Sequence, residues 1–326
     1  MRQVVVATHG HCFDGMCSAV MFTRLMRHLH QGEELSFTYR AQGYGPGSNG
    51  VDPAIFTGDE NAILDFRFSS APKLTWYFDH HVSAFPTKAD RASYDDRAKE
   101  GENRHMFHDG GYGSCTKLIA DIGKARFGLD SSSPDDATLV RWADMIDSAA
   151  FPSAQMAVAR AEPVLHLMTV VEHQGGDAFL QTMVPRLLEE PLEEISKGKD
   201  IEEAYAPIAA QQDGYIELVR KHATVKNEVV IVDLSSVLIE VAAKFVTYSL
   251  WPESTYSVVL SRSASKCKIS VGYNPWAPSP RKHNIAAICE RHGGGGHPVV
   301  GAISLPADQG ERARKLANEI AEELAV

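Results

Sequence analysis

The sequence lacks a long hydrophobic segment. Its 326 residues contain no run that approaches the ~18 apolar residues of a membrane-spanning helix. The apolar stretch Val4–Ala7 is followed too soon by His9 to form the core of a signal peptide. Cysteine is also scarce, because the chain has only five, an odd number that does not favour a disulfide framework. We therefore expect a soluble protein of the cytoplasm with no membrane partner.

Positive charge is in deficit. The chain has 32 Lys and Arg residues against 42 Asp and Glu residues, which gives a formal net charge of −10. Because proteins bind nucleic-acid phosphates mainly through Lys and Arg, this balance argues against long duplex nucleic acid as a partner. A local basic groove remains compatible with it. The composition, 44% hydrophobic and 23% charged, predicts a globular protein, and the length predicts about two domains.

The first part of the chain alternates short apolar segments with helical segments. We predict strands over Gln3–Thr8, Asn61–Phe66 and Leu74–Phe78, and a helix over Met16–His30. The later strands are apolar throughout rather than alternating, which is typical of a parallel sheet covered on both faces. The fold class is therefore expected to be α/β, with an N-terminal parallel-sheet domain.

Helical periodicity dominates the middle of the chain, and a second α/β pattern follows. The predicted helices of the middle part are Cys115–Ala125, Asp136–Asp147 and nearly all of 154–222. The later predicted strands are Glu228–Leu234, Tyr256–Arg262, Cys267–Tyr273 and Ala302–Leu305, and the later helices are Val237–Leu250, His283–His292 and Asp308–Leu324. We assign 1–200 to a first domain that includes the helical part from about 154, 201–225 to a linker helix, and 226–326 to a smaller C-terminal α/β domain.

Acidic and imidazole side chains collect at the predicted strand ends and near the end of one later helix. These residues are His9, Asp14, Asp65, Asp79, His80, His81, Asp144 and Asp147. Because the carboxyl ends of parallel strands form the ligand crevice of an open sheet, we expect the strand-end residues to meet there. Their carboxylates would repel one another unless a cation lay among them.

The same set of ligands favours a particular class of ion. Mixed imidazole and carboxylate ligands suit Mn²⁺, and Mg²⁺, Co²⁺ and Zn²⁺ are compatible with them. There are enough ligands for two ions, which together can activate a hydroxide for phosphoryl displacement. Asp65, central among the strands, is the candidate to bridge them. The alternative is that each Asp caps a turn or helix and that the histidines are hydrogen-bonded surface groups, and the residues alone leave both open.

Four consecutive glycines, Gly293, Gly294, Gly295 and Gly296, follow the predicted helix His283–His292. Without Cβ atoms, their backbone N–H groups can approach an anion or a base closely. Helix termination accounts for the first glycine but not for four. No Lys-Ser/Thr pair follows them, which excludes a Walker loop.

The segment from Arg262 to Arg291 reverses the overall sign of charge, with six basic residues and a single acid. Arg262 and Arg291 are therefore candidate substrate-binding residues. Tyr273 and Trp276 lie in the same segment, where they either stack bases or form the structural part of a solvated hairpin. The modest size of this patch favours short substrates.

The motifs resemble those of the DHH phosphoesterase superfamily. The segment His9-Gly10-His11-Cys12-Phe13-Asp14-Gly15 resembles its first motif, Leu64-Asp65-Phe66 its second, and Asp79-His80-His81 the triplet that names the family. Ala143-Asp144-Met145 resembles the fourth motif, and Gly293–Gly296 with His297-Pro298 resembles the signature of the DHH-associated C-terminal domain. The resemblance covers nearly the whole chain. It implies a DHH domain, a helical linker and a C-terminal substrate-binding domain, with the active-site cleft between the domains.

The resemblance also implies a role for each motif residue. His9 and Asp65 would bind one metal ion, and Asp14, Asp65, His80 and Asp144 would bind the other. Asp79 would orient a histidine as an outer-sphere carboxylate. His81 would contact the scissile phosphate, and Gly293–Gly296 with His297 would hold the nucleotide.

One departure from the family pattern concerns Cys12, which stands where many members have an aspartate. A branch with His-x-x-Cys-x-Asp-Gly looks similar. Cys12 is either a small buried filler or a soft ligand, and the first metal site is then weaker, more tolerant of zinc or completed by His11. In the fourth motif we prefer Asp144 to Asp147, which lies one helical turn further on.

The resemblance implies a metal-dependent phosphodiesterase that uses two Mn²⁺ ions and a hydroxide activated by them. The expected substrates are short oligoribonucleotides hydrolysed from the 3′ end, or a small nucleotide such as a linear dinucleotide, a cyclic (di)nucleotide or 3′-phosphoadenosine 5′-phosphate. One alternative is a phosphomonoesterase or inorganic pyrophosphatase on the same scaffold. Another is a nucleotide-binding sensor that has lost one metal through Cys12. The oligomeric state is left open.

Overall fold

The computed structural model of the protein describes residues 1–43, 50–99, 105–239 and 245–326. They divide into two units, one formed by Met1–Ala150 and Glu162–Tyr205 and the other by Phe151–Ala161 and Ala206–Val326. The helix Lys199–His222, which corresponds to the predicted linker, contains the border between the units. The predicted domain limits 1–200, 201–225 and 226–326 and the cleft between the domains stay predictions.

A parallel sheet forms the centre of the first unit. In the described part of this unit, five strands are ordered β2-β1-β3-β4-β5 and every neighbouring pair is parallel. The strands are β1 (Arg2–His9), β2 (Leu35–Gln42), β3 (Glu60–Leu64), β4 (Trp76–Asp79) and β5 (Met106–His108). The three strands predicted from the sequence are β1, β3 and β4, which are adjacent in the sheet. The predicted α/β class is confirmed.

Helices follow the strands and continue the chain beyond the sheet. They are α1 (Phe13–Leu29), α2 (Lys88–Ala98), α3 (Cys115–Phe127), α4 (Pro134–Asp147), α5 (Ala154–Ala159), α6 (Pro163–Gln174), α7 (Asp177–Glu189), α8 (Leu192–Ser196) and α9 (Lys199–His222). Of these, α5 and most of α9 belong to the second unit.

Strand β4 shows how both faces of the sheet are covered. Successive side chains of a strand point to opposite faces. Trp76 and Phe78 therefore share one face, where both contact the ring of Phe22 on α1. Tyr77 lies on the other face, within an apolar cluster that contains Phe68 and Tyr94. Burial on both faces explains why this strand has no alternation of polar and apolar residues.

Three elements of the first unit were not predicted from the sequence. Strand β2 is half exposed, so its pattern gave little signal. Helix α2 and strand β5 lie in the polar stretch Lys88–Gly111, part of which lies outside the described residues. A signal for α2 was present, because Thr87 and Asp90 form a capping box in which each side chain bonds the other's backbone N–H.

The second unit is built on a mixed sheet. In its described part, six strands are ordered β10-β11-β9-β8-β7-β6, with β7 and β8 parallel and the other pairs antiparallel. Its elements are β6 (Ala223–Lys226), β7 (Val229–Leu238), α10 (Val246–Leu250), β8 (Tyr256–Arg262), β9 (Lys266–Tyr273), α11 (Ile285–Arg291), β10 (Gly295–His297), β11 (Val300–Pro306) and α12 (Gly310–Leu324). The predicted strands Tyr256–Arg262 and Cys267–Tyr273 form the antiparallel pair β8 and β9, and α11 and α12 cover one face of the sheet.

One prediction for this unit is corrected, and the structure places the glycine run. The helix predicted over Val237–Leu250 is wrong at its start, because Val237 and Leu238 belong to β7 and residue 238 pairs with Arg262 of β8. Residues 240–244 lie outside the described residues, and the helix is formed over Val246–Leu250. In the glycine run, Gly295 and Gly296 belong to an edge strand paired with β11.

Among the described helices, none combines the length and the apolar character that crossing a bilayer requires.

Candidate metal centre

The predicted strand-end residues lie along one edge of the parallel sheet. His9 is the last residue of β1, Asp65 follows β3, and Asp79 ends β4. Because β1, β3 and β4 are neighbours and parallel, their carboxyl ends lie side by side. The next residues of the chain, His80 and His81, therefore reach the same place.

Asp65 lies at the centre of the group, and its two carboxylate oxygens face different neighbours. Oδ2 lies 3.4 Å from Nδ1 of His9 and 3.6 Å from Sγ of Cys12. Oδ1 lies 3.4 Å from Nε2 of His80 and 3.6 Å from Nδ1 of His81. This division is what a carboxylate that bridges two ions requires.

The backbone at Asp65 is also unusual. Its φ of +54° lies in the left-handed region, which is sparsely populated for residues with a side chain, although Asp adopts it more readily than most. The Asp65 N–H donates to the carbonyl of Phe78 in β4, which holds the turn against the neighbouring strand. Burial opposes ionisation of Asp65, but the neighbouring His80 and His9 lower its pKa to about 2. The carboxylate is therefore charged at neutral pH.

His80 turns one ring nitrogen to the backbone and the other to carboxylates. Nδ1 lies 3.0 Å from the carbonyl oxygen of Tyr112, so it carries a proton and donates it there. Nε2 lies 3.2 Å from Asp147 and 3.8 Å from Asp14, in addition to its contact with Asp65. Burial lowers the pKa of His80, but the carboxylates of Asp147, Asp65 and Asp14 raise it to about 11. A backbone acceptor on one nitrogen is the usual way to present the other nitrogen to a metal ion.

Asp14 is held by the start of helix α3. Its carboxylate accepts hydrogen bonds from the backbone N–H groups of Cys115 at 2.7 Å and of Thr116 at 3.0 Å. Burial raises the pKa of Asp14 well above its usual value, and the charges of Asp65 and Asp147 raise it further. A cation beside Asp14 would offset both effects.

Asp79 does not face the metal-ligand cluster and instead holds His81. Its Oδ1 accepts the Nδ1 proton of His81 at 2.7 Å and the backbone N–H of His80 at 2.9 Å. Burial lowers the pKa of His81, but the Asp79 carboxylate raises it above its usual value. The expectation that Asp79 orients a histidine agrees with this geometry, and the histidine is His81.

Cys12 and His11 differ in position although they are adjacent in the sequence. Sγ of Cys12 and the donor atoms of His9 and Asp65 lie within 4.8 Å of one another. Burial raises the pKa of the Cys12 thiol, and the charges of Asp65 and Asp14 raise it further, so the thiol is protonated unless a metal binds. The ring of His11 instead lies 3.2 Å from the carbonyl oxygen of Glu172, which speaks against His11 as the ligand that completes the site.

The contribution of helix α4 differs from the one preferred from the sequence. Asp144 lies against the turn before α3, where it accepts from Ser114 Oγ at 3.3 Å and lies 3.4 Å from Lys117 Nζ. Asp147, one turn further along α4, lies against Nε2 of His80. The two acids are three residues apart and lie on the same face of the helix, so helical periodicity alone could not tell which of them is the ligand. The geometry therefore favours Asp147 over Asp144 as the ligand.

The glycine of the first motif, Gly15, lies where the backbone leaves no room for a Cβ atom. A Cβ atom at this position would lie 2.1 Å from the carbonyl oxygen of His9, so the first turn of α1 folds directly against the end of β1. Only glycine permits this approach. The tight turn brings Asp14 and Cys12 back toward His9.

The chemistry of this cluster fits divalent metal ions. In each of three groups, the donor atoms lie within 4.8 Å of one another. The groups are His9, Cys12 and Asp65; Asp65, His80 and His81; and Asp14, His80 and Asp147. Oδ1 of Asp65 and Nε2 of His80 are buried and lie 3.4 Å apart, and in the described part of the chain neither atom makes a contact with hydrogen-bond geometry. Buried polar atoms are rarely left in this state, and a bound cation would satisfy both.

The predicted substrate-binding residues of the second unit differ in their exposure and in their contacts. His297 and Arg262 are exposed, and Gly293 and Gly294 end helix α11. Arg291 is paired through its guanidinium with both carboxylate oxygens of Glu323, so its charge is already compensated. Trp276 donates its indole N–H to the carbonyl of Phe151 at 2.7 Å, which supports the structural interpretation of this residue.

No protein-family model matches the sequence, and no similar sequence was found among the curated proteins. Solved structures are similar over nearly the whole chain. The pGpG-specific phosphodiesterase PggH from Vibrio cholerae has a TM-score of 0.66 at 15% identity, covering 98% of this chain and 99% of its own. An exopolyphosphatase-related protein from Bacteroides fragilis has a TM-score of 0.54 at 13% identity, covering 100% and 94%.

RecJ from Thermus thermophilus in complex with Mn²⁺ has a TM-score of 0.52 at 12% identity. The similarity covers 99% of this chain and 52% of RecJ. Another similar structure is described as a DHH domain, with a TM-score of 0.60 at 14% identity. At these identities the comparisons establish the fold. The chain has the fold of the DHH phosphoesterases.

Proposed function

We propose that the protein is a metal-dependent phosphodiesterase of short oligoribonucleotides, cleaved from the 3′ end, or of related small nucleotides. The observation that carries this proposal is the division of the Asp65 carboxylate, with Oδ2 toward His9 and Cys12 and Oδ1 toward His80. A shared carboxylate between two ligand groups is the arrangement on which two-metal phosphoryl transfer depends.

The residues of the chain have separable roles in this proposal. His9, Asp65 and Cys12 would hold one divalent ion, and Asp14, Asp65, His80 and Asp147 the other. Two such ions supply charge neutralisation and activation of water when they are bound. We take Mn²⁺ as the natural occupant, with Mg²⁺, Co²⁺ or Zn²⁺ as alternatives.

His81 would act on the substrate rather than on a metal. Because Asp79 holds the proton on Nδ1, Nε2 is the nitrogen available to a phosphate oxygen. The raised pKa of His81 favours the imidazolium form, which can donate a hydrogen bond to the negative charge that develops at the phosphorus. Its side chain is 31% exposed, so a substrate can reach it.

The likeness to a pGpG-specific phosphodiesterase favours a linear dinucleotide among the candidate substrates. The aromatic residues of the second unit do not support base stacking. Trp276 donates a hydrogen bond to the carbonyl of Phe151, and the Tyr273 ring packs beside Tyr256. The likeness to an exopolyphosphatase-related protein keeps pyrophosphate as the second candidate.

A substrate panel with Mn²⁺ tests the proposal. It contains pGpG, a labelled five-nucleotide RNA, 3′-phosphoadenosine 5′-phosphate and pyrophosphate. We expect turnover of pGpG or the RNA to exceed that of pyrophosphate. Preference for pyrophosphate would show that the protein is a pyrophosphatase and not a phosphodiesterase. No turnover together with one metal equivalent or none would favour the nucleotide-binding sensor.

Two substitutions test the site itself. Asp65→Ala and His80→Ala should abolish turnover while the circular dichroism spectrum stays that of the wild type. Asp96→Ala, which removes an exposed carboxylate of α2, is the control and should keep full activity. A near-wild-type rate in either site variant would show that the site is placed wrongly.

The role proposed for the second unit has its own variant. His297→Ala should raise KM or slow turnover for nucleotides, because His297 and the glycine run would hold the nucleotide. Unchanged kinetics on every nucleotide would remove this unit from substrate binding.

A further inference from the structure

Behind His81, the hydrogen bonds continue one residue deeper into the fold. The hydroxyl of Tyr77 donates to Oδ2 of Asp79 at 2.9 Å, and Oδ1 of Asp79 accepts the Nδ1 proton of His81 at 2.7 Å. Tyr77 and Asp79 are both 0% exposed. The three residues thus form a continuous chain from the core to the candidate site.

The geometry of strand β4 makes this chain possible. Tyr77 and Asp79 are two residues apart on one strand, so their side chains point to the same face. A tyrosine is long enough to bring its hydroxyl to the carboxylate two positions on. The aromatic ring is fixed by edge contacts with Phe68 at 5.1 Å and Tyr94 at 5.9 Å between ring centroids.

The direction of the Tyr77 hydrogen bond is determined by its surroundings. Burial raises the pKa of Tyr77 well above 10, and the charge of Asp79 raises it further, so the phenol keeps its proton and donates it. Asp79 can then only accept. Among the described residues, Tyr77 provides the hydrogen bond to Oδ2, while Oδ1 is shared by His81 and the backbone N–H groups of residues 80 and 81.

We propose that Tyr77 is a positioning residue, which fixes the Asp79 carboxylate and through it the orientation of His81 and the proton on its Nδ1. This proposal rests on the proposed function, in which His81 contacts the phosphate. Without the hydroxyl, Oδ2 is a buried carboxylate oxygen with a lost partner, and the carboxylate can rotate away from Nδ1 of His81. Packing of the Tyr77 ring alone would not hold the Asp79 carboxylate in this orientation.

The test is Tyr77→Phe, which removes the hydroxyl and keeps the ring. We expect kcat to fall roughly 10-fold, the scale of one lost hydrogen bond, with KM within about twofold of the wild type. In the nuclear magnetic resonance spectrum of the protein without substrate, the Nδ1–H proton signal of His81 should shift or exchange faster. Tyr39→Phe is the matched control, because the buried hydroxyl of Tyr39 bonds to Thr23 Oγ1 at 2.9 Å.

A second variant separates positioning from loss of stability. If the effect passes through Asp79, adding Tyr77→Phe to Asp79→Asn should not lower kcat further, because effects on one chain of hydrogen bonds are not additive. An unchanged kcat and Nδ1–H signal in Tyr77→Phe, or an equal loss in Tyr39→Phe, would overturn the proposal. If the wild type hydrolyses no substrate, the proposed function fails, and the Nδ1–H signal alone decides whether Tyr77 positions His81.

Discussion

Nε2 of His80 lies 3.2 Å from the carboxylate of Asp147, which joins the end of strand β4 to the end of helix α4. The same nitrogen lies 3.4 Å from Asp65, which follows strand β3. One imidazole therefore connects a strand-end carboxylate to a helix-end carboxylate. This contact is the reason to prefer Asp147 to its neighbour on the same helix face.

We expect the two acids of α4 to respond differently to substitution. Asp147→Asn should lower Mn²⁺ affinity by more than the roughly 10- to 100-fold that loss of an outer-sphere partner costs. Asp144→Asn should leave Mn²⁺ affinity nearly unchanged and lower the free energy of unfolding by about 1 kcal/mol, because its pair with Lys117 is partly exposed. Calorimetric titration with Mn²⁺ and urea unfolding measure the two quantities. The reverse pattern would restore Asp144 as the ligand.

Binding of a metal ion should release a proton from His80. The pKa of His80 is raised from 6.5 to about 11, so His80 is protonated at pH 7 before the metal binds. The ion needs the neutral imidazole, and its apparent affinity should therefore rise with pH, by up to about tenfold per unit for one proton, until the pH approaches 11. Calorimetric titrations in buffers of different ionisation enthalpy count the protons. His80→Gln should release fewer, and equal release from both proteins would contradict the assignment.

Substitution of Cys12 should change which metal ions bind well. If Sγ of Cys12 is a ligand beside Asp65, Cd²⁺ should produce a sulfur-to-metal charge-transfer absorbance in the ultraviolet. Cys12→Ser should remove this absorbance, while Cys17→Ala, at a buried cysteine of helix α1 that is outside the donor groups, should keep it. Persistence of the absorbance in Cys12→Ser would make Cys12 a buried filler.

Two helical glycines should respond in opposite directions to alanine. Gly15→Ala places a Cβ atom against the His9 carbonyl, and we expect a loss at or above the upper end of the roughly 1–3 kcal/mol typical of overpacking, with weaker metal binding. Gly214→Ala, where no atom of the described residues outside the adjacent residues and the helix's own backbone lies within 4 Å of the new Cβ, should raise the free energy of unfolding by about 0.5–1 kcal/mol. Chemical denaturation of both variants measures the difference. Tolerance of alanine at residue 15 would refute the argument from close approach.

The sequence by itself predicted the class of fold and the strand ends at which the candidate site lies. Apolar strands β1, β3 and β4 are recognisable because burial on both faces removes polar residues from them. Parallel strands end at one edge of their sheet, so the sequence alone predicts that His9, Asp65 and His80 lie close together. The order of the motifs predicted the DHH fold.

Other features depended on contacts that are distant in the sequence. The choice between Asp144 and Asp147 depends on how α4 is rotated against β4, and both acids satisfy the same helical period. From the sequence, Trp276 and Arg291 were candidates to contact a substrate. In the folded chain Trp276 donates a hydrogen bond to the carbonyl of Phe151, and Arg291 is paired with Glu323. Local pattern determines which residues share a face, whereas the packing of elements determines which side chains meet, and only the tertiary structure contains that information.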